Sequence, residues 1–331
     1  MDSRFIFFLI SIFLFQGIKT LVSLCSSLRF LTKEKQIQPQ QKDSGVRFFI
    51  FIPCLNEQEN ILQTIEYFEK IRKISKANLF IYTITTGREI KILNTDTTRD
   101  ILESEIKTKE YSNVFNIHDP SECGFVSHQF NYAIHEVSRK HLFDERDYIV
   151  FYNADSRPHP HTFNWVSGDI EKNGDAVYQQ FSAVFKNFDE FGNSPYGMIL
   201  KTFAVFQTRF SLSHEIPRSR RSVSKNFLIR KYSNAHCISH GLFISHKTFK
   251  NIGKFSENTM IEDLFLGFLL RVTGNAIKPI PYMENIDSPT SIWKNLRQKY
   301  IWYWGPMYYP YYYWYFLKNF QQRNNASKLV S

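Results

Sequence analysis

The stretch DYIVFYNADSRPHP, residues 147–160, constrains the fold of this chain more than any other. It opens with apolar and aromatic residues from Tyr148 to Tyr152 and then changes at once to a polar turn closed by two prolines. This pattern predicts a buried strand that ends in a loop carrying Asn153 and Asp155. In open α/β sheets the binding crevice lies beyond the carboxyl ends of the strands. An ordinary Asx turn gives the same pattern, so this segment alone leaves both interpretations open.

Strands and helices alternate along the sequence from residue 46 onward. Apolar runs predict strands near 46–52, 79–85 and 114–117, and helical spacing predicts helices over 61–72, 97–109 and 126–137. Asn56 and Glu59 have the spacing of a capping box, which predicts that Asn56 caps the first of these helices. The alternation favours an α/β fold with a mostly parallel, doubly wound sheet in a single domain.

The first thirty residues are strongly apolar. FIFFLISIFLF, residues 5–15, is followed by further apolar residues up to Leu28, interrupted by Gln16 and Lys19. The stretch is long enough for a transmembrane helix only if Lys19 is tolerated or snorkels, and a secretory signal peptide is the alternative. Basic residues accumulate after it, which predicts an anchor in the cytoplasmic membrane with the rest of the chain facing the cytoplasm. We therefore divide the chain into an anchor helix (1–31), a polar linker (32–45), a catalytic domain (46–299) and an aromatic segment with a polar tail (300–331).

Composition narrows the choice of partners. The net charge is +10 and aromatic residues make up 17% of the chain, which suits an acidic ligand, a nucleic acid or an anionic membrane surface. The sequence has no RRM, KH or helix-turn-helix signature, so we expect no nucleic-acid partner. The four cysteines form no CxxC pair, which favours neither a zinc site nor a disulfide framework.

Two further segments suggest surface contacts. Residues 217–231, PRSRRSVSKNFLIRK, read as a basic loop that is either a solvated face or a contact for phosphate groups or anionic lipid. Residues 300–320 are rich in Tyr and Trp, which predicts an interfacial or short re-entrant membrane segment. A polar tail, residues 321–331, follows this aromatic segment.

Two late stretches carry groups suited to chemistry. Glu262 and Asp263 stand at the start of an apolar helical run, where carboxylates cap the helix and where one of them can also act as a general base. The stretch SIWKNLRQKYIWYWGPM carries Gln298 and Trp302 on a basic amphipathic helix. Such a tryptophan stacks on a sugar or lies at a membrane interface.

The order of these motifs resembles that of the family 2 glycosyltransferases of the GT-A type, especially the membrane-attached bacterial kind. The resemblance covers residues 47–305 and rests on several blocks in the same order. The blocks are IPCLNEQENI, GFVSHQFNYAI, YNADSRP, SHGLFISHKTFKNIGKF, IEDLFLGFLL and QKYIW. It implies an inverting transferase that moves a sugar from a nucleotide-diphospho-sugar donor to a hydroxyl of a glycan or lipid-linked acceptor at the membrane, as in polysaccharide biosynthesis.

The resemblance also implies roles for individual residues. Asp155 matches the metal-binding acid of the family's D-x-D motif and would hold Mg²⁺ or Mn²⁺. Asp263, with Glu262 beside it, matches the catalytic base of the E-D motif. The implied donor-binding residues are Pro53, Leu55, Asn56, Glu57, Thr85, Asn153 and Asp155. The implied acceptor-side residues are His240, Gly241, Gln298 and Trp302.

The sequence departs from the family pattern at three places. Thr85 and Thr86 stand where many relatives have an acidic residue that contacts the nucleoside, and Asn153 replaces the first acid of D-x-D. Ile301 replaces an arginine that suits phosphate contacts; Lys299 or a nearby arginine would have to compensate. These departures keep open an alternative, a catalytically inactive GT-A scaffold that binds glycans or protein partners.

Overall fold

The computed structural model of the protein describes residues 3–33, 45–75, 77–89, 96–140, 143–233, 235–259 and 261–328. These residues form a seven-stranded, mostly parallel sheet with helices on both faces, which confirms the predicted α/β class. The large sheet contains β1 (Arg47–Pro53), β2 (Asn78–Thr86), β3 (Val114–Asp119), β4 (Tyr148–Phe151), β5 (Val177–Gln179), β7 (Leu242–Ser245) and β8 (Ile277–Pro279). A separate small sheet pairs β6 (Ser182–Ala183) with β9 (Glu284–Asn285).

Twelve helices surround these strands in the described part of the chain. They are α1 (Ser3–Lys33), α2 (Ile61–Ser75), α3 (Thr98–Lys109), α4 (Val126–Lys140), α5 (Thr162–Asn173), α6 (Pro195–Phe210), α7 (Ile216–Ser222), α8 (Phe227–Lys231), α9 (His246–Ile252), α10 (Glu262–Val272), α11 (Ile292–Met307) and α12 (Tyr309–Lys328). A π-helical turn, Ser211–Glu215, joins α6 to α7, and a 3₁₀ turn, Asp189–Phe191, precedes α6.

The strand order, β3-β2-β1-β4-β7-β5-β8, brings several loops to one edge of the sheet. Strand β1 is parallel to both β2 and β4, so the carboxyl ends of these three strands meet. Strand β7 is antiparallel to β4, which places its amino end beside the carboxyl end of β4. The amide N–H of Gly241 accordingly donates to the carbonyl oxygen of Phe151 at 2.7 Å. The loop after β4 and the loop before β7 therefore share one crevice.

The core lies on both faces of the sheet because side chains alternate along each strand. Along β1, Phe48 and Ile50 pack on one face while Phe49 and Phe51 pack on the other, and all four are buried. A parallel strand covered by helices on both faces is apolar throughout, which explains why β1 reads as a continuous apolar run rather than an alternating one.

Helix α1 is long and apolar enough to cross a membrane, by length and composition. Its described side chains are exposed from Arg4 to Lys19, whereas Ser27 and Leu31 are buried against the domain. The first part of α1 thus projects from the domain, and its last part packs on the π-helical turn and α7.

The structure corrects two local predictions. Helix α2 begins at Ile61, as the apolar spacing predicts, but Asn56 does not cap it, because its φ is 59° whereas an N-cap residue has an extended backbone. The predicted capping box therefore does not form. The basic stretch predicted as a loop is instead two short helices, α7 and α8.

The predicted linker and the predicted aromatic segment can each be located along the chain. The greater part of the predicted linker, residues 34–44, lies outside the described residues. The aromatic segment 300–320 forms the end of α11 and the start of α12. Tyr312 of α12 is fully buried with its ring centroid 4.8 Å from that of Phe265, so one face of this segment packs on α10. Trp304 and Trp314 remain about half exposed, at 44% and 54%.

Candidate active site

Asp155 lies in the turn that follows β4, at the shared crevice. One of its carboxylate oxygens, Oδ2, accepts the backbone N–H of Asp287 at 3.0 Å. The turn is closed by Asn153, whose carbonyl accepts the Ser156 N–H at 3.1 Å and whose N–H donates to the Ser156 hydroxyl at 3.1 Å. Burial raises the pKa of Asp155, and the charges of Asp287 and Glu284 raise it further. A turn over residues 153–156 thus forms through backbone atoms and the Ser156 hydroxyl, and it holds the partly buried carboxylate of Asp155 in the crevice.

Glu57 completes a group of carboxylates at this place. Burial raises the pKa of Glu57, and the negative charges of Asp155 and Asp287 add to that effect. Lys186 opposes the acidic charge, since its Nζ pairs with Asp287 at 2.7 Å. With Glu284, four carboxylates face three cations here, Lys186, Arg157 and His240, which leaves a small excess of negative charge that a divalent cation would neutralise.

Whether Mg²⁺ or Mn²⁺ fits this crevice depends on the oxygen ligands that its side chains offer. Within the described residues, no three His, Cys, Asp or Glu side chains converge as a ready-made metal cage. Oδ2 of Asp155 is hydrogen-bonded, and Oδ1 has no hydrogen-bond partner among the described residues. Mg²⁺ is commonly held by one or two carboxylates together with substrate phosphates and water. The oxygen ligands of the crevice therefore fit a metal ion that binds together with a diphosphate.

The residues expected to bind the donor lie at the ends of β1 and β2. Pro53 ends β1 and is followed by Leu55, which is half-buried, and by Asn56, which is exposed. The N–H of Glu57 donates to the Thr98 hydroxyl at 3.0 Å. These contacts fix the loop that leaves β1.

Thr85 is placed differently from the rest of this group. It is fully buried in β2, and its hydroxyl lies 3.2 Å from Nδ1 of His118 and 3.4 Å from the amide oxygen of Asn116, both on β3. The hydroxyl that stands in place of the family's acidic residue is therefore engaged with the neighbouring strand.

Glu262 and Asp263 begin α10, as the sequence predicts. Asp263 Oδ2 accepts the N–H of Ser239 at 3.1 Å and Oδ1 accepts the N–H of Leu264 at 2.7 Å. These two bonds fix the carboxylate against the loop that precedes β7. Burial raises the pKa of Asp263, and burial together with the charge of Asp263 raises the pKa of Glu262 to about 8. A carboxylate with a raised pKa is a stronger base, which suits proton abstraction.

His240 links the two halves of the site. Its Nδ1 forms a short ion pair with Glu284, which is fully buried and also accepts the Ser182 hydroxyl at 3.1 Å. Burial alone would lower the pKa of His240, but Glu284 and then Asp155 raise it to about 9. The resulting imidazolium also acts on Asp263, whose pKa it lowers against the effect of burial. A cation thus lies within electrostatic reach of both candidate carboxylates.

Gly241 is required by the backbone next to His240. Its φ is 63°, and a Cβ at this position would lie 2.5 Å from the carbonyl oxygen of Gln180. The N–H of Gln180 donates to the Gly241 carbonyl at 2.7 Å, so the two chains run too close for any side chain. Only glycine therefore fits at position 241, which the sequence placed on the acceptor side.

Gln298 and Trp302 lie on α11. The amide oxygen of Gln298 accepts from the Gln207 side chain of α6 at 3.1 Å, and Trp302 is 48% exposed. Lys299 lies with its Nζ 4.0 Å from the centroid of the Trp302 ring. Burial lowers the pKa of Lys299 to about 8, although Glu215 opposes the effect. The Lys299 side chain is thus held against Trp302, and no hydrogen bond or ion pair among the described residues joins it to Asp155 or Asp263.

Two acidic residues of the site, Glu284 and Asp287, were not predicted from the sequence. Both follow β8, at the same edge of the sheet as Asp155. The signal was present, because KPIPYMENID is a short apolar run that leads into two acids, the same pattern that marked Asp155. The two prolines in the run argue against a strand, so β8 was not predicted from the sequence.

No protein-family model matches this chain, and no curated protein matches it in sequence. Solved structures do match in three dimensions. The mannosyltransferase PcManGT from Pyrobaculum calidifontis, solved in complex with GDP-Man and Mn²⁺, superposes with a TM-score of 0.54 at 12% identity over 87% of this chain and 70% of its own. This chain has the GT-A glycosyltransferase fold. Residues 1–349 of S. aureus TarS, in complex with UDP-GlcNAc, give a TM-score of 0.48 at 14% identity over 74% of this chain and 59% of theirs.

Proposed function

We propose that this protein is an inverting glycosyltransferase, similar to family 2, that transfers a sugar from a nucleotide-diphospho-sugar to a hydroxyl of a membrane-associated glycan or lipid. The observation that carries the proposal is the convergence of Asp155 and Asp263 on one crevice, with the His240 imidazolium acting on both. The solved structures with donors bound support a nucleotide-sugar at the same kind of fold. Attachment to the cytoplasmic membrane through α1, with the domain facing the cytoplasm, belongs to the proposal.

The reaction follows from the roles of these side chains. The acceptor hydroxyl oxygen forms a bond to the anomeric carbon while the bond from that carbon to the diphosphate oxygen breaks. Asp263 accepts the hydroxyl proton, for which its backbone hydrogen bonds hold it in a fixed orientation. Attack from the face opposite the leaving group inverts the anomeric configuration.

The leaving diphosphate needs positive charge. A Mg²⁺ or Mn²⁺ ion held by Asp155 would supply Lewis acidity to the diphosphate. His240, kept protonated at neutral pH by Glu284, adds a fixed cation of this chain's own. Preorganised charge of this kind is a large source of rate enhancement because it needs no reorganisation during the reaction.

The acceptor side is proposed to include His240, Gly241, Gln298 and Trp302. Trp302 is half exposed and carries Lys299 on its ring, so it presents an aromatic face beside a cation. Sugars stack on such aromatic faces. The donor side is proposed to include the loop from Pro53 to Glu57, with Thr85 and Asn153.

A second candidate, a GT-A scaffold that binds glycans without catalysis, is favoured by two observations. The Thr85 hydroxyl contacts β3, and Asn153 provides no charge, so recognition of the nucleoside and the metal is weaker than in the family pattern. The pair Asp155 and Asp263 weighs against this candidate.

The test is release of nucleoside diphosphate from UDP-, GDP- and dTDP-sugars by the full chain in detergent, with membrane extract as the acceptor. We expect turnover of one donor that requires Mg²⁺ or Mn²⁺ and that Asp155→Ala abolishes. Asp175→Ala, which removes an exposed acid just before β5 at the opposite edge of the sheet, serves as the control and keeps full activity. Binding of a nucleotide-sugar without turnover by the wild type would instead support the scaffold.

A further inference from the structure

The stretch of chain that follows β6 is tied into the crevice by hydrogen bonds. In this stretch, the N–H of Lys186 donates to the carbonyl oxygen of Ile286 at 3.1 Å. The N–H of Phe185 donates to the side-chain oxygen of Asn285, also at 3.1 Å. These bonds continue the parallel pairing of β6 with β9. The stretch after β6 therefore runs beside the stretch after β9, which carries Asp287.

The stretch after β9 is bonded on its other side to the turn that follows β4. Arg157 and Asn285 exchange both backbone hydrogen bonds at 2.9 Å. Two residues away on each stretch, the N–H of Asp287 donates to Oδ2 of Asp155 at 3.0 Å. Three extended stretches thus lie side by side, and neighbouring stretches of this kind are about 5 Å apart. Asp155, Asp287 and Lys186 lie next to one another across them.

The side chain of Lys186 reaches the middle of these three stretches. Its Nζ pairs with Oδ2 of Asp287 at 2.7 Å, and the two side chains are 21% and 25% exposed. Lys186 also opposes the effect of Asp155 and Asp287 on the pKa of Glu57, which burial raises, so these charges face one space. An ammonium has three N–H donors, and in the part of the chain that the structure describes only Asp287 accepts from this one. Two donors therefore remain for a ligand in the crevice.

The other two cations of the crevice are held more firmly by their neighbours. His240 pairs through Nδ1 with Glu284, which is fully buried. The guanidinium of Arg157 donates to the Thr64 hydroxyl at 2.6 Å and lies 5.4 Å from the centroid of a tyrosine ring on the same helix, α2. A partly exposed carboxylate loses its partner at a lower cost than a fully buried one does. Lys186 is therefore the crevice cation that can most readily exchange its partner for an anionic ligand.

We propose that Lys186 binds the diphosphate of the donor and stabilises the charge that develops on it as the sugar leaves. The bond from the anomeric carbon to the diphosphate oxygen breaks, and its electron pair stays on that oxygen. The ammonium exchanges Asp287 for a phosphate oxygen, donates a hydrogen bond to it and keeps its own proton. Lys186 would thereby take the place of the arginine that Ile301 replaces. The inference rests on the proposed function for the identity of the ligand.

The test follows the binding of inorganic pyrophosphate, UDP and GDP to the full chain in detergent with Mg²⁺ by calorimetry. Pyrophosphate carries no nucleoside, so it reports on the phosphate contacts alone. We expect Lys186→Gln to weaken pyrophosphate binding at least ~10-fold, which is about 1.4 kcal/mol, and Lys186→Arg to restore most of it. The control, Lys247→Gln, removes a lysine from an exposed ion pair with Glu145 at the opposite edge of the sheet and leaves binding unchanged.

A second variant separates a contact with the ligand from a purely structural ion pair. Asp287→Asn breaks the same pair but leaves the Lys186 ammonium for the ligand, so it is expected to bind pyrophosphate at least as tightly as the wild type. Equal losses in Asp287→Asn and Lys186→Gln would show that the pair only shapes the crevice, which would overturn the inference. If Lys186→Gln does not fold, Asp287→Asn decides alone, and weaker binding is then the contradicting result.

Binding is measured without turnover, so the two proposals can fail separately. If pyrophosphate binding requires Lys186 but no nucleotide-sugar is turned over, the transferase activity is wrong and the phosphate contact stands. If Lys186→Gln binds pyrophosphate as the wild type does while the wild type turns over a donor, only the role of Lys186 is overturned. A wild type that binds neither pyrophosphate nor UDP nor GDP would also overturn it.

Discussion

Replacing Glu284 by glutamine is expected to lower the free energy of unfolding in a way that depends on pH. Glu284→Gln keeps the shape of the side chain and one acceptor oxygen for the Ser182 hydroxyl, but it removes the charge that holds His240 protonated. The pKa of His240 is raised from 6.5 to about 9, and a difference of that size corresponds to about 3 kcal/mol. Because this pKa is raised, the stabilisation is fully present below about pH 6.5 and is lost as the pH rises through about 9.

The assay is thermal unfolding of the wild type and of Glu284→Gln in the same detergent at several pH values. Near pH 6 we expect the variant to be less stable by about 3 kcal/mol, which for a chain of this size lowers the melting temperature by about 5 °C. Near pH 10 the difference is expected to close. Glu257→Gln removes the charge from a more exposed carboxylate that pairs with Lys254 and His128, and it is expected to cost less than about 1 kcal/mol at any pH. A gap for Glu284→Gln that does not change with pH would refute the reasoning.

Three further predictions concern other contacts. Gly241→Ala is expected to destabilise the protein by more than about 2 kcal/mol, since the new Cβ would lie 2.5 Å from a backbone oxygen. Gly253→Ala places its Cβ in open space and is expected to cost only the ~1–2 kcal/mol of a left-handed φ. Denaturant titration of both variants measures the difference in free energy of unfolding. Arg47→Ala leaves the buried carboxylate of Asp147 without its bidentate partner and, since Arg47 is 36% exposed, is expected to cost about 2 kcal/mol by the same titration. Glu262→Gln removes a carboxyl whose pKa is raised to about 8, and a carboxyl with a raised pKa costs stability as the pH rises. The variant is therefore expected to lose less stability than the wild type when the pH rises from about 5 to about 8. An unchanged pH profile of unfolding would contradict this.

The fold was predictable from sequence because its signals are local. Strand β4 ends where the apolar run gives way to Asn153, and α10 begins at Glu262, where acidic residues precede an apolar helical pattern. Each of these boundaries depends on a change of residue type within a few positions. Local patterns of this kind predict elements well, and the alternation of strands and helices then fixes the class of sheet.

The rest depends on contacts between distant parts of the chain. The ion pair of His240 with Glu284 joins residues 44 apart, and it exists because β7 is antiparallel and the small sheet carries Glu284 back to the crevice. The failed capping box at Asn56 has a related cause. The loop after β1 is held by Thr98 on a different helix, and this tertiary contact overrides the local preference for a cap at Asn56.

The central claim is that Asp263 removes a proton from an acceptor while the donor is held elsewhere in the same crevice. The most direct test compares wild type and Asp263→Asn for two quantities, binding of the nucleotide-sugar and release of nucleoside diphosphate in the presence of acceptor. The account predicts that the variant binds the donor as tightly as the wild type and turns it over at least ~100-fold more slowly, the usual contribution of a general base. Turnover at the wild-type rate in Asp263→Asn would contradict the assignment of the base and, with it, the proposed mechanism.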